Sequence, residues 1–205
     1  MNATLYYVHD PMCSWCWAFR PAYDAIMAEL PEEITLKRLL GGLAPDTDEP
    51  MPEAMREYVK NHWHSIQKQV PGTEFNFTFW QACNPRRTTY PACRAVIAAR
   101  NQGAEYDDKM TLAIQHGYYL HARNPSNHDT LIAFADEMDL DTEQFARDRI
   151  SVETDEILNQ EIAFTHRLSV TGFPTMLLET NGDCMQIPTD YIKPETMLKT
   201  IQEKI

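Results

Sequence analysis

The sequence is short of positive charge, of long apolar runs and of close-spaced metal-ligand pairs, and each shortage removes a class of function. Lys and Arg number 18 against 30 Asp and Glu, a formal charge of −12. A phosphate backbone is bound by clustered basic residues, so a nucleic-acid partner is not expected, and the acidity is read as solubility. No run of about eighteen apolar residues is free of charge, so no membrane-spanning helix is expected. The stretch from Met1 to Asp10 lacks the basic n-region and long apolar h-region of a secretory leader, which leads us to expect a cytoplasmic protein. Internal repeats and low-complexity tracts are missing too.

Cysteine is sparse, with Cys13, Cys16, Cys83, Cys93 and Cys184. In a reducing compartment such cysteines point to redox or metal chemistry rather than to structural bridges. A zinc site built on Cys13 and Cys16 needs two further ligands. The nearest candidates, His62 and His64, lie two apart on a helical stretch and so do not face each other. Neither a metal nor a bound cofactor is expected.

What is present is a chain of 205 residues, 43% apolar, long enough to bury a core as one domain or as a domain carrying an insertion. Thr4 to His9 reads as a buried strand stopped by Asp10-Pro11. Phe19, Tyr23, Ile26, Met27 and Leu30 recur at helical spacing, so a helix opens at the cysteines with Pro21 inside it. Ile34 to Leu40 reads as a second strand, stopped by Gly41-Gly42. Met55, Tyr58, Val59, Trp63, Ile66 and Val70 share one helical face, and Phe75, Phe77 and Phe79 alternate as a short extended piece would. Further helices are expected after Thr89, from Glu105 to about Arg123, from an Asn127 cap to Met138, and after Asp141 and Ser151. Asn181-Gly182 between two apolar runs predicts a type I′ hairpin, and Pro194 opens a last helix. The expected fold class is α/β, a mixed central sheet with flanking helices. Residues 1–45 and 143–205 form its two parts, and a helical domain at 46–142 is inserted between them.

With five cysteines, a spacing of three arises by chance in roughly one such sequence in ten, so Cys13-Ser14-Trp15-Cys16 gains its weight from position. A strand, a turn and then a helix starting at the dithiol put Cys13 where free backbone N–H groups and the helix dipole favour a thiolate. Cys13 is the expected attacking sulfur. Cys16, one turn in on the apolar face, is the expected resolving thiol.

Asp10-Pro11-Met12-Cys13-Ser14-Trp15-Cys16-Trp17, followed by Pro21, and Val170-Thr171-Gly172-Phe173-Pro174-Thr175 near the end together resemble the DsbA-like branch of the thioredoxin superfamily. Within it, the chain is most similar to the cytoplasmic predicted disulfide isomerases that resemble FrnE. The resemblance implies a thioredoxin-like fold with a helical domain between its halves. It also implies exchange with protein or peptide thiols and disulfides, with glutathione as a further candidate partner. By the same resemblance Pro174 is a cis-proline opposite the dithiol, and Phe173 offers its peptide groups to a bound strand. Ser14-Trp15 differs from the central pair of the best-known relatives, which leaves the direction of electron flow open. Tyr7 stands where some relatives carry a buried acid, and His9, Lys37 and Arg38 are the alternatives.

Other candidates carry a plainer reading. Cys83 and Cys93 could form a second pair, but single cysteines are usually small buried hydrophobes, and Cys184 is expected in the core. Trp17, Phe75, Phe77, Phe79 and Trp80 read as core rather than a peptide groove, while Trp15 is taken as functional at an exposed turn. Asn84-Pro85-Arg86-Arg87 could anchor a carboxylate, although a solvated loop is expected. The competing functions are a glutathione-dependent isomerase or transferase of the kappa or hydroxychromene-carboxylate type, and a binding module. The first typically has Ser in place of Cys13.

Overall fold

The structure, a computed structural model, describes residues 3–205; Met1 and Asn2 of the first expected segment lie outside the described residues. In chain order the elements are β1 (Ala3–His9), α1 (Ser14–Ala28), β2 (Ile34–Leu40), α2 (Glu53–Gln69), α3 (Phe79–Ala82), α4 (Tyr90–Arg100), α5 (Tyr106–Tyr119), α6 (His128–Asp136), α7 (Thr142–Asp148), α8 (Val152–Arg167), β3 (Thr175–Thr180), β4 (Asp183–Ile187) and α9 (Pro194–Gln202). The strands form one sheet in the order β2-β1-β3-β4, with β1 parallel to β2 and antiparallel to β3. This is the mixed sheet expected from the sequence.

β1 is apolar on both sides because helices cover both faces of the sheet. Successive side chains of a strand point to opposite faces. Leu5 and Tyr7 accordingly pack with Phe19 and Ile26 of α1 and Ile201 of α9. Tyr6 and Val8 pack the other way, with Phe164 on α8. Asn181 and Gly182 both take positive φ, 53° and 90°, so the β3-β4 turn has the backbone that the dipeptide favours. Asp141 accepts from the Gln144 amide and Ser151 from the Thr154 amide, the two caps legible in the sequence.

Between β2 and α8 the chain is helical. α4 is buried on almost every side, with Ala92, Cys93 and Ala95 to Ala99 inaccessible to solvent, as a helix enclosed by others must be. A second cluster gathers around Trp63, whose indole stacks on Phe75 at 4.8 Å and meets Trp80 at 4.9 Å. The extended piece expected at Phe75, Phe77 and Phe79 is not a strand; it is a turn leading into α3, and its alternation reflects three rings converging on Trp63. α5 stops at Tyr119, short of Arg123, because the chain leaves it through Ala122 in the left-handed region at φ 51°.

A buried ion network ties the helical region to the sheet. Arg38 of β2 meets Asp107 at 2.6 Å and also bonds Asp108, both on α5. Arg100 bridges Asp107 to Glu161, and Glu161 accepts from the Leu40 amide at 2.7 Å. Among the described residues, no helix is long and apolar enough to cross a membrane.

Candidate active site

β1 ends at His9, and Asp10-Pro11-Met12 turns the chain so that Cys13 is the N-cap of α1. The Cys13 amide donates to the Asp10 carbonyl at 3.1 Å, and its own carbonyl accepts from Trp17 at 3.0 Å. The two thiols differ in access: Cys13 is 6% exposed and Cys16 is fully enclosed. Burial, reinforced by the neighbouring Cys13 sulfur, pushes the Cys16 thiol well above its ordinary pKa. All five cysteines are free.

Facing Cys13 is the loop before β3. The Phe173-Pro174 peptide is cis, and the Cys13 thiol donates to the Phe173 carbonyl at 3.6 Å. Thr175 braces this loop through a 2.8 Å bond from its hydroxyl to the Gly172 carbonyl. The Phe173 ring lies against Gly41, where an added Cβ would come within 2.0 Å of it. Gly41 therefore does more than end a strand: its lack of a side chain admits the ring that positions the loop.

Ser14 opens α1 and is half-buried. Trp15 also departs from expectation. It is half-buried in the first turn of α1, its ring edge-on to Tyr191 at 5.4 Å, not on an exposed turn.

The acid beside the dithiol is Asp10, which the sequence shows only as half of an Asp-Pro turn. Its side chain is fully buried and accepts from the amides of Met12 and Leu43, each at 2.8 Å, and from the Thr89 hydroxyl at 2.6 Å. Cys93 adds a thiol donor at 3.5 Å. One carboxyl group thus fastens the dithiol turn to the loop after β2 and to α4. The other candidates for that role do different things. Arg38 belongs to the ion network, and Lys37 lies over the Tyr6 ring. His9 is buried and stacked on Tyr7; burial and the cations of Arg38, Arg100 and Arg20 hold its pKa well below 6.5.

Beside Cys13 opens a cavity of about 260 Å³. One wall carries Cys13, Ser14, Trp15 and residues 171–173; the opposite wall comes from the helical region, with Tyr58, His62, Arg86 and Arg87. Tyr58, which the periodicity assigns to an apolar face, is 56% exposed there. The expected solvated loop at 84–87 is instead anchored: Pro85 is buried, Arg86 bonds the Ser126 carbonyl, and both arginines are half-buried. Cys83 donates to the Ala122 carbonyl and Cys93 to Asp10, so the two do not pair. Cys184 is exposed rather than in the core, because on edge strand β4 it points away from the face on which Met185 and Ile187 pack.

A family model described as thioredoxin matches residues 6–188, most of the chain. The chain belongs to the thioredoxin family. A solved structure described as a candidate protein disulfide isomerase, from Nitrosomonas europaea, is 26% identical with a TM-score of 0.83, covering 100% of this chain and 97% of that one. The cytosolic disulfide reductase DsbM of Pseudomonas aeruginosa has the same fold, with a TM-score of 0.80 at 23% identity and 98% coverage of both chains. DsbA oxidoreductases share it as well, at 14% and 16% identity, so the thioredoxin-like fold expected from the motifs holds. Among curated proteins, the ClpXP adapter protein SpxH of Halalkalibacterium halodurans is 23% identical over 177 residues, 84% of this chain. The chain spans about 57% of the length of that curated relative.

Proposed function

We propose that this thioredoxin-family chain is a thiol-disulfide oxidoreductase acting on protein or peptide partners through Cys13 and Cys16. The observation that carries this reading is the pairing of a barely accessible thiol at a helix N-cap with an enclosed one a turn behind it, facing the Phe173-Pro174 loop.

In the reducing direction the Cys13 thiolate attacks one sulfur of a substrate disulfide. A Cys13-substrate disulfide forms and the other substrate sulfur leaves as a thiolate. Cys16 then loses its proton to solvent or to the departing thiolate and attacks the Cys13 sulfur. The internal disulfide forms and the second substrate thiol is released. The substrate is reduced and the dithiol oxidised by two electrons; the reverse order oxidises a substrate. The raised pKa of Cys16 suits a thiol that stays protonated until the mixed disulfide exists. Ser14 and Trp15 tune the pair, and Phe173 and Pro174 shape the surface that the substrate meets. The likeness to a cytosolic reductase supports work in a reducing compartment.

The adapter name of the curated relatives favours a second reading, a docking protein whose thiols are incidental. A disulfide-reduction assay separates the two. Exchange is lost in Cys13→Ala, and mixed disulfides accumulate in Cys16→Ala; full activity of Cys13→Ala would sink the oxidoreductase reading.

A further inference from the structure

The most deeply buried guanidinium groups of this chain are held by acids, with one exception. Arg20 bonds Asp24 and Asp108, Arg38 bonds Asp107 and Asp108, and Arg94 is held by Asp46 and Asp155. Arg149, which closes α7, is only 7% exposed and makes no ion pair among the described residues. Burial and the like charge of Arg94 both weaken its hold on the proton. Its Nη2 meets Nδ1 of His128, while its Nε is buried with no hydrogen-bond partner among the described residues. A guanidinium taken out of water without a counter-charge is costly, and the C-terminus of α7 offers only a fractional negative charge.

The side chain of Arg149 faces a second shortage. His128 is the first residue of α6, a helix of nine residues whose start is uncapped. Asn127 stands at the N-cap with extended backbone, φ −95° and ψ 135°, yet its side chain takes none of the α6 amides and accepts from Asn124 at 3.5 Å instead. The amides of His128, Asp129 and Thr130 have no acceptor among the described residues. Asp129, the acid in that first turn, is exposed and forms no ion pair with Arg149. A buried cation lacking an anion and a helix start lacking an acceptor thus meet at His128.

We propose that Arg149 and the N-terminus of α6 form a binding site for a tetrahedral oxyanion of the phosphate class. Nε and Nη2 lie on one edge of the guanidinium, the edge that forks onto two oxygens of an anion, and the first-turn amides of α6 receive a third. The exposed ring of His128 yields Nη2 to the anion by turning into solvent. None of these residues lines the cavity beside Cys13, so the site is separate from the dithiol. Phosphate can arrive as the free ion or as the phosphoryl group of a small ester.

The whole chain is titrated calorimetrically with inorganic phosphate, at constant ionic strength set by chloride. One saturable site is expected, and phosphate at about ten times its Kd should raise Tm by roughly 3–6 °C. A parallel titration with β-glycerophosphate separates the two sources: an equal Kd assigns a phosphoryl group, a Kd at least about tenfold weaker assigns the free ion, and both uphold the site. Arg149→Met keeps the stem, removes the charge and should abolish binding. Asn127→Asp, at an exposed position, brings a carboxylate to the same amides and should weaken phosphate by at least about tenfold while raising Tm in chloride. Gln186→Glu, the same charge change on exposed β4, should alter Kd by less than about twofold. If Arg149→Met fails to fold, Asn127→Asp decides alone. The absence of saturable binding to the parent chain, or binding undiminished in either site variant, overturns the site.

Discussion

The two walls of the cavity beside Cys13 were built by different means. The wall carrying Cys13, Ser14, Trp15 and Phe173 comes from the thioredoxin-like elements and is set by two short motifs whose residues must stand at fixed spacing. The wall carrying Tyr58, His62 and Arg87 comes from α2 and the loop before α4, far apart in sequence; the Met51 amide, just before α2, donates to the Pro85 carbonyl at 2.8 Å, and α2 packs on the aromatic cluster around Trp63. Exchange chemistry needs two sulfurs and a helix start, all local. Choice among substrates depends on a surface that exists only after long-range packing.

If the comparison is right, changes on the first wall abolish chemistry and changes behind the second alter stability or selectivity. The largest effect expected is that of Cys13→Ala, which should lower disulfide reduction by at least about 1,000-fold in a coupled assay. Folding should be retained, because the thiol bonds a carbonyl at the site's edge rather than a group of the core.

Trp63→Ala should cost about 3–5 kcal/mol in denaturant unfolding, since a fully buried indole is removed from the centre of six rings. A loss below about 1 kcal/mol would mean that the helical wall does not depend on that cluster.

Asp10→Asn tests the fastening between the walls. An amide cannot accept on both sides as the carboxyl group does, so at least one buried donor from Met12, Leu43, Thr89 or Cys93 loses its partner. Stability should fall by about 1–3 kcal/mol, with slower exchange at Cys13. A variant as stable and as fast as the parent would remove Asp10 from the account.

The smallest effect is a pH dependence. His9 is held neutral in the folded chain, its pKa well below 6.5, whereas the unfolded chain takes up a proton near that value. The unfolded state therefore binds more protons, and stability is lost as pH falls below about 6.5, by at most ~1.4 kcal/mol per unit. In His9→Phe the stability difference between pH 7 and pH 5.5 should shrink by up to about 1.3 kcal/mol.

Legibility followed the same division. The strands, the Asn181-Gly182 turn and the caps at Asp141 and Ser151 were readable because each is decided by a few adjacent residues. Phe75, Phe77 and Phe79 mislead because a period of two also arises when rings converge on one partner. Cys184 was misplaced because a strand pattern does not say which strand is the edge. Asp10 and Gly41 were visible only as punctuation. Their roles depend on Thr89 and Phe173, which lie 79 and 132 residues away in sequence. A buried acid hides in an Asp-Pro turn until its donors are known.

The most direct test of the central claim is to equilibrate the whole chain in glutathione buffers of graded potential, quench with acid, alkylate free thiols and map the disulfides by peptide mass. The account predicts a single two-electron transition in which Cys13 and Cys16 join while Cys83, Cys93 and Cys184 stay reduced. A transition that leaves Cys13 and Cys16 unjoined, or that links Cys83 to Cys93 instead, would contradict it.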